Sequence, residues 1–313
     1  MRRSCRVWIV AAAAASLLAA MALGGCSVSS KAPGTSKTGQ GEAVGFPVTL
    51  TDDASRTVTV EAPAKRIVSL APANTEIVYS LGLMDRLVGV TTYDDYPAAV
   101  SGIAKVGDFQ TPNLEAIAAA KPDLILVTGG VQADVIDKLE GLDAQVLVID
   151  PKTLAGVDAG IETVGRACGV QDKAEEVIGR MGERIDLVRD AVRSAEPVSC
   201  FVEIGFNPLF TAGSDTLIGE LVSVGGGRNV VTQPGYVGYS MEQLLKDQPR
   251  VYLGTTSSLG DPATIGQRPG YRSLQCVISG RVVALDDNLV SRPGPRVVEG
   301  LEQLARALHP DRF

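Results

Sequence analysis

The chain has 313 residues, of which 45% are hydrophobic and 4% aromatic, which is enough for two domains of ordinary size with real cores. Its formal net charge is −7, which argues against nucleic acid as a partner, because phosphates need a basic face. With His309 as the only histidine, a Ser-His-Asp triad or a histidine-rich metal site is nearly excluded, and we expect no catalytic residue and no metal site.

The first 25 residues are expected to lie outside the fold. Three arginines precede an almost unbroken apolar run over residues 7–23, and two glycines then lead into Cys26. This resembles a bacterial lipoprotein signal, in which Cys26 would receive diacylglycerol and become the N-terminus. The alternative is an uncleaved membrane helix, because the run approaches spanning length. Removal of 1–25 deletes three positive charges and no negative ones, so the net charge moves from −7 to −10.

Residues 26–45 are rich in Ser, Gly, Thr and Lys, and we interpret them as a flexible tether. Residues 46–153 are interpreted as an N-terminal lobe that opens with a β-hairpin over 48–60. Strands are predicted at 67–70, 87–90, 124–127 and 146–149, helices at 75–81, 114–120 and 131–139, and a long loop at 91–112. Strands that alternate with helices predict a parallel sheet covered on both faces.

Residues 154–196 are interpreted as linking helices, over 158–168 and 171–195, with a break at Gly169-Val170. The second helix carries apolar residues at helical spacing and is predicted to be a stiff strut that limits lobe opening. From residue 197 the alternation resumes and indicates a C-terminal lobe over 197–313. Its predicted strands are 201–204, 251–253 and 282–285, and its predicted helices are 216–224, 241–246 and 295–308.

A short pattern occurs once in each lobe. In the first copy, Glu115 opens a short amphipathic helix, and Pro122 and an apolar strand follow. In the second copy, Glu242 opens the helix, and Pro249 and a strand follow. Two copies indicate two similar lobes rather than a solenoid, and two lobes make a cleft in which a ligand can sit.

Several segments carry a resemblance to a known family: Ala71 to Glu76, Tyr93 to Pro97, Asn113 to Glu115, Lys121 to Leu124, Gly205 to Gly213, and Arg292 to Arg296. They resemble the vitamin B12-binding proteins of bacterial importers. Those proteins belong to the helical-backbone class (class III) of ABC-transporter solute-binding proteins, which also serves iron–siderophores and haem. The resemblance covers Lys65 to the C-terminus. It implies an α/β fold of two Rossmann-like lobes, each with a central sheet flanked by helices, joined by a long rigid backbone helix.

The resemblance also implies a function. The chain would be the lipid-anchored binding component of an ABC importer on the extracytoplasmic face of the membrane, or in the periplasm of a two-membrane cell. It would act as a monomer, capture cobalamin or another corrinoid between the lobes, and deliver it to a permease dimer with its ATPase subunits. No Gly-x-x-x-x-Gly-Lys loop is present, so ATP hydrolysis by this chain is not expected.

Three alternatives stay open. The first is a ferric-siderophore or haem binding protein of the same class. The second is an enzyme that acts on a bound metal complex, which the lack of histidines and of clustered acid–base pairs disfavours. The third is an adhesion or scaffold lipoprotein.

Family members of this type dock on the permease through one acidic residue on each lobe, and the matching residues are Glu115 and Glu242. Two carboxylates at matching places on a pseudo-twofold body can meet arginines on a twofold-symmetric partner, and such contacts can be bidentate. The alternative is that each glutamate only complements the positive end of its helix.

The positions that match the ligand-binding cleft of the family are Pro72, Ala73, Asn74, Tyr93, Phe109, Phe206, Tyr236 and Arg292. Aromatic rings suit the apolar face of a corrin, and amides or a guanidinium suit its rim. The alternatives are loop packing for the tyrosines, a core position for Phe206, pairing with Asp287 for Arg292, and a helix cap for Asn74.

The chain departs from the cobalamin binders at two cleft positions. Those proteins use tryptophans, whereas Phe109 and Tyr236 stand at two of the positions here, and the only tryptophan is Trp8 in the signal. Tyrosine can ligate haem iron, which keeps the haem alternative open.

Three cysteines follow the tether: Cys168, Cys200 and Cys276. An odd number allows one disulfide at most, and none has zinc-ligand spacing. We interpret them as small apolar core residues, and whether any two form a disulfide stays open.

Overall fold

The computed structural model describes residues 45–313. The predicted signal over 1–25, Cys26 and all of the predicted tether except Gly45 lie outside the described residues. Within the described part, no helix has both the length and the apolar character needed to cross a membrane.

The N-terminal lobe consists of an antiparallel hairpin followed by a four-stranded parallel sheet. In chain order its elements are β1 (Val48–Thr51), β2 (Thr57–Val60), β3 (Ile67–Ser69), α1 (Pro72–Ser80), β4 (Leu87–Gly89), α2 (Leu114–Ala119), β5 (Leu124–Val127), α3 (Ala133–Glu140) and β6 (Gln145–Val148). The sheet order is β4-β3-β5-β6. β3 and β5 are buried at every position, as expected of a parallel sheet covered on both faces.

Two helices connect the lobes, α4 (Leu154–Cys168) and α5 (Gln171–Val192). α4 begins four residues earlier than predicted, because the Thr153 hydroxyl caps it by accepting a hydrogen bond from the Gly156 N–H at 3.0 Å. It ends at Cys168, and the next residue, Gly169, has a φ of 69°, the left-handed conformation typical of a helix C-terminus. The predicted break at this glycine is therefore confirmed.

The C-terminal lobe is more elaborate. In chain order its elements are β7 (Val198–Gly205), β8 (Phe210–Ala212), α6 (Leu217–Val224), β9 (Gly227–Asn229), β10 (Tyr236–Gly238), α7 (Met241–Asp247), β11 (Val251–Thr255), α8 (Thr256–Leu259), α9 (Gln275–Ile278), β12 (Val282–Leu285), α10 (Asp287–Val290) and α11 (Val297–Leu308). The sequence did not predict β8, β9 and β10, because they lack the continuous apolar run that marks a buried strand.

The two lobes repeat one sheet. In the C-terminal lobe β9, β7, β11 and β12 run parallel in that order, which matches β4-β3-β5-β6 element for element. β8 and β10 extend the second sheet in antiparallel fashion from the carboxyl end of β7. The turns before β5 and β11 also match, since Lys121 and Gln248 both precede a proline and adopt left-handed φ angles of 47° and 44°. The predicted pair of similar α/β lobes is confirmed.

The hydrophobic core has three parts. One cluster is continuous through both lobes and includes the apolar face of the connecting helices, among them Val157, Val177 and Ile185. The other two clusters cover the outer faces of the N-terminal and C-terminal sheets separately. Opening the lobes would expose the shared cluster to water, so the connecting helices resist that movement.

Candidate ligand-binding cleft

A cavity of about 690 Å³ lies between the lobes, within the usual range for a small-molecule site. From the N-terminal lobe, the segments that follow β3, β5 and β6 line it, at Ala71–Asn74, Thr128 and Ile149–Lys152. From the C-terminal lobe, residues 215–217, Gly235, Tyr236 and 291–293 line it. The carboxyl ends of parallel strands are where α/β folds bind ligands, because the connecting loops converge there.

Seven of the eight residues predicted to touch a ligand line this cavity: Pro72, Ala73, Asn74, Tyr93, Phe109, Tyr236 and Arg292. Tyr93 and Tyr236 are 60% and 52% exposed, so both residues of the lining have free surface. Phe206 does not line it. Its ring lies under the Arg268 guanidinium, 3.8 Å from the ring centroid, and edge-on to Tyr271. The ligand contacts themselves remain predictions.

Two alternatives from the sequence are wrong. Arg292 does not pair with Asp287; its Nη1 donates to Asp95 Oδ1 at 2.6 Å instead. Asp287 turns to the start of α8, where it accepts a hydrogen bond from the Ser257 N–H at 2.9 Å. Asn74 is not a helix cap, because α1 begins at Pro72 and the buried Asn74 amide donates to the Val127 carbonyl at 3.2 Å.

Gln132 does not line the cavity but holds three segments next to it, and it was not identified from the sequence. Its buried amide nitrogen donates to the carbonyls of Leu70 at 2.6 Å and Phe109 at 2.8 Å. Its oxygen accepts from the Thr128 N–H at 2.9 Å. One side chain therefore fixes the ends of two strands and the loop that carries Phe109.

The cations of the cavity wall are paired with carboxylates, whereas Asp215 of the lining accepts a hydrogen bond from the Gly235 N–H at 2.6 Å and forms no ion pair within residues 45–313. The Lys152 ammonium lies 2.7 Å from Asp150 Oδ1, and that oxygen also accepts from the Thr128 hydroxyl at 2.8 Å. Arg292, the other cation of the lining, is held by carboxylates of the N-terminal lobe. The sequence missed Thr128, Asp150 and Lys152, although their positions just after predicted strands were a usable signal.

Tyr236 carries a polar group into the cleft. Partial burial, together with the nearby Asp215 charge, raises the pKa of the Tyr236 phenol, against a hydrogen bond with Thr216 that lowers it. The phenol is therefore neutral at physiological pH and can donate a hydrogen bond to a ligand.

Glu115 and Glu242 occupy equivalent positions on α2 and α7. Each is the second residue of its helix, and each helix is capped by the residue that precedes it. Asn113 Oδ1 accepts from the Ala116 N–H at 3.1 Å, and Ser240 Oγ accepts from the Gln243 N–H at 3.0 Å. Both glutamates are exposed, and in residues 45–313 neither forms an ion pair. Since α2 and α7 run back toward the amino ends of β5 and β11, both helices begin on the side that holds the cavity.

The three cysteines are core residues, as predicted. Cys168, Cys200 and Cys276 are buried and free, so none forms a disulfide within the described chain. Burial raises the pKa of the Cys168 and Cys200 thiols to about 12 and that of Cys276 to about 11. His309 follows α11 and bonds the Gly226 carbonyl through Nε2 at 2.9 Å. Among residues 45–313 no cluster of His, Cys, Asp and Glu could hold a metal ion.

Two α/β lobes joined by a backbone helix and enclosing a cavity at their strand ends define a solute-binding protein of the helical-backbone class (class III). The family model of the periplasmic binding proteins matches residues 67–289, and the chain belongs to this family. The uncharacterized ABC transporter substrate-binding lipoprotein YvrC of Bacillus subtilis (strain 168) is 35% identical over 322 residues, which cover 100% of this chain and 99% of YvrC.

Two solved structures extend the comparison. The periplasmic vitamin B12-binding protein BtuF of Vibrio cholerae matches with a TM-score of 0.70 and 30% identity, over 79% of this chain and 98% of BtuF. A periplasmic haem-binding protein from Pseudomonas aeruginosa matches with a TM-score of 0.70 and 28% identity, over 80% of this chain and 94% of that protein. These relatives are transport proteins rather than enzymes, as expected for this chain.

Proposed function

We propose that this protein is the lipid-anchored binding component of an ABC importer and that its cargo is a corrinoid. The Cys26 motif and the lipoprotein relative support the anchor, which would hold the protein on the extracytoplasmic face of the membrane. The similarity to BtuF supports the cargo, as do the seven residues that stand at cleft positions of that family and line the cavity.

The observation that carries the cargo assignment is that both cations of the cavity wall are paired with carboxylates. A corrin is a broad apolar macrocycle with a rim of neutral amides, so it requires ring faces and hydrogen-bond groups rather than free cations. Tyr93, Phe109 and Tyr236 supply the rings, and the Tyr236 phenol and the Asn74 and Arg292 side chains supply polar groups. Lys152 and Arg292 are each paired with a carboxylate already.

Haem is the second candidate, because Tyr93 and Tyr236 line the cavity and tyrosine can ligate haem iron. The pairing of the wall's cations disfavours it. Haem propionates and anionic ferric siderophores need cations that this wall does not offer unpaired, and a buried unpaired carboxylate is costly.

Glu115 and Glu242 are the proposed contacts to the permease dimer and its ATPase subunits. Their support is geometric. Both side chains are exposed, both stand at the second position of a capped helix, and the two helices belong to equivalent parts of a repeated lobe. A twofold-symmetric partner would meet the same carboxylate on each side.

A visible-absorbance titration tests the cargo, with cyanocobalamin, dicyanocobinamide, haemin and a ferric hydroxamate as separate probes. We expect stoichiometric binding of a corrinoid at about nanomolar Kd, near −12 kcal/mol, and much weaker binding of the others. Tyr236→Ala should weaken corrinoid binding, whereas Phe206→Leu, an aromatic change outside the cavity, should not. Tight binding of haemin alone would overturn the corrinoid assignment. Turnover of a bound complex would instead support the alternative that the protein is an enzyme.

A further inference from the structure

Four charged side chains meet where the lobes face each other. Glu76 and Asp95 come from the N-terminal lobe, and Arg292 and Arg296 come from the C-terminal lobe; we call these four residues the interlobe cluster. Arg296 donates two hydrogen bonds to Glu76, from Nε to Oε2 at 3.0 Å and from Nη2 to Oε1 at 2.7 Å. Arg292 reaches both acids, Asp95 Oδ1 at 2.6 Å and Glu76 Oε1 at 3.3 Å.

The cluster is built into the protein rather than lying on its surface. Glu76 is 2% exposed, so its charge depends on the two arginines. The Arg296 guanidinium lies 3.8 Å from the centroid of the Tyr96 ring, which covers it from the other side. The hydrogen bond from Arg292 lowers the pKa of Asp95, as expected of an ion pair.

The backbone between the two arginines also touches the other lobe. A Cβ placed on Gly294 would lie 3.2 Å from the Ala73 carbonyl oxygen and 3.5 Å from Glu76 Oε2. This segment therefore packs against the first turns of α1 with no spare room. Arg292 of the cluster also lines the cavity, as does Ala73, so the cluster adjoins the cavity wall through Arg292.

The connecting helices and the interlobe cluster restrict the lobes in different ways. The shared apolar core opposes separation, but hydrophobic contact is non-directional and tolerates small rotations. Bidentate guanidinium–carboxylate contacts hold a fixed geometry. A rotation that breaks them would strand the buried Glu76 carboxylate without a partner, which is strongly unfavourable.

We propose that the interlobe cluster fixes the angle between the lobes and so holds the cavity preformed, with Arg292 as a positioning residue shared by the cluster and the cavity wall. The part of this inference that concerns cargo rests on the proposed function, whereas the part that concerns the lobe angle does not.

Hydrogen–deuterium exchange on the ligand-free, full-length protein tests whether the cluster holds the lobes against local opening. We expect Glu76→Gln to speed amide exchange in residues 72–80 and 292–297 by about tenfold or more, the size of one charge-assisted hydrogen bond in a local opening equilibrium. Glu302→Gln is the matched control. It removes another bidentate contact, Arg184 Nε and Nη2 to Glu302 at 2.8 and 3.0 Å, outside the cluster. Exchange equal to wild type in Glu76→Gln, or equal effects of the two variants, would overturn the proposal.

If Glu76→Gln does not fold, Asp95→Asn takes its place, because Asp95 is largely exposed and its loss leaves no buried charge. We then expect about threefold faster exchange, confined to residues 292–297, on the scale of a partly exposed ion pair. No change there would overturn the proposal.

Cyanocobalamin affinity provides the second arm. A cavity that is preformed only part of the time binds more weakly in proportion, so the cluster variant should lose about tenfold in affinity while Glu302→Gln keeps it. If the wild type binds no corrinoid, the proposed function fails and the exchange result stands by itself. If the wild type binds and the cluster variant binds equally tightly, the positioning role fails.

Discussion

The two lobes share one backbone plan but have opposite chemistry in their outer layers. When the two lobes are aligned at the turn that precedes β5 and β11, Leu70 of the first lobe is equivalent to Glu203 of the second. Both residues are 0% exposed. In the first lobe Leu70 joins an apolar cluster with Val68 and Ile125. In the second, Glu203 Oε2 accepts from the Tyr252 hydroxyl at 2.5 Å and from Arg268 Nη1 at 2.6 Å.

This difference shows which features the repeated unit requires. The capped helix, the left-handed residue before proline and the parallel strand order occur in both lobes, so they belong to the plan itself. The covering of the outer face is free to vary, provided that every buried charge finds a partner. Arg268 is satisfied further by the carbonyls of Ser258 and Leu259, at 2.9 and 3.0 Å.

The largest expected effect comes from giving the second lobe the residue of the first. Glu203→Leu leaves Arg268 without its carboxylate and the Tyr252 hydroxyl without its acceptor. Breaking a buried ion pair from one side should lower the free energy of unfolding by about 3–5 kcal/mol, as measured by urea denaturation. The double variant Glu203→Leu/Arg268→Met should recover most of the loss. A single variant as stable as the wild type would show that the charged layer is not needed.

The next prediction uses the feature that the lobes share. Glu115→Ala and Glu242→Ala should each weaken binding to the permease by about tenfold, and the pair by about a hundredfold, because each removes one charge-assisted contact. Uptake by the reconstituted importer measures this effect. Glu183→Ala, an exposed glutamate on α5, is the control and should change nothing. Full transport by the double variant would contradict the docking role.

A smaller effect should be equal in the two lobes. Asn113→Ala and Ser240→Ala each remove a side-chain cap and should cost about 1 kcal/mol of unfolding free energy. Asn113→Ser and Ser240→Asp keep a capping oxygen and should cost much less. Thermal and urea denaturation measure both pairs, and a clearly unequal cost would mean that the lobes do not use their caps in the same way.

The smallest expected signal is the absence of a reaction. Burial raises the pKa of the Cys168 and Cys200 thiols to about 12 and that of the Cys276 thiol to about 11. The reactive thiolate of all three is therefore scarce at pH 8 and below. Iodoacetamide at pH 8 should leave all three unmodified in the native protein and modify all three in urea, as read by peptide mass spectrometry. Rapid native labelling in one lobe would reveal local opening there.

Much of the fold could be predicted because its signals are local. The alternation of short apolar runs with segments of helical period predicts the parallel sheets, and Gly169 predicts the break between the linking helices. The repeat that surrounds Glu115 and Glu242 predicts two lobes from the sequence alone. β8 and β10 lie in no such apolar run and depend on pairing, β8 with β7 and β10 with β8.

By itself, the sequence determined the two-lobe plan, the linking helices and, through resemblance, seven of the residues that line the cavity. Only the tertiary structure determined which side chains contact one another. Arg292 bonds Glu76, which lies 216 positions away, rather than nearby Asp287, and the Phe206 ring lies under Arg268 outside the cavity. Such choices depend on how the lobes pack, and long-range charge pairing leaves no periodic pattern along the chain.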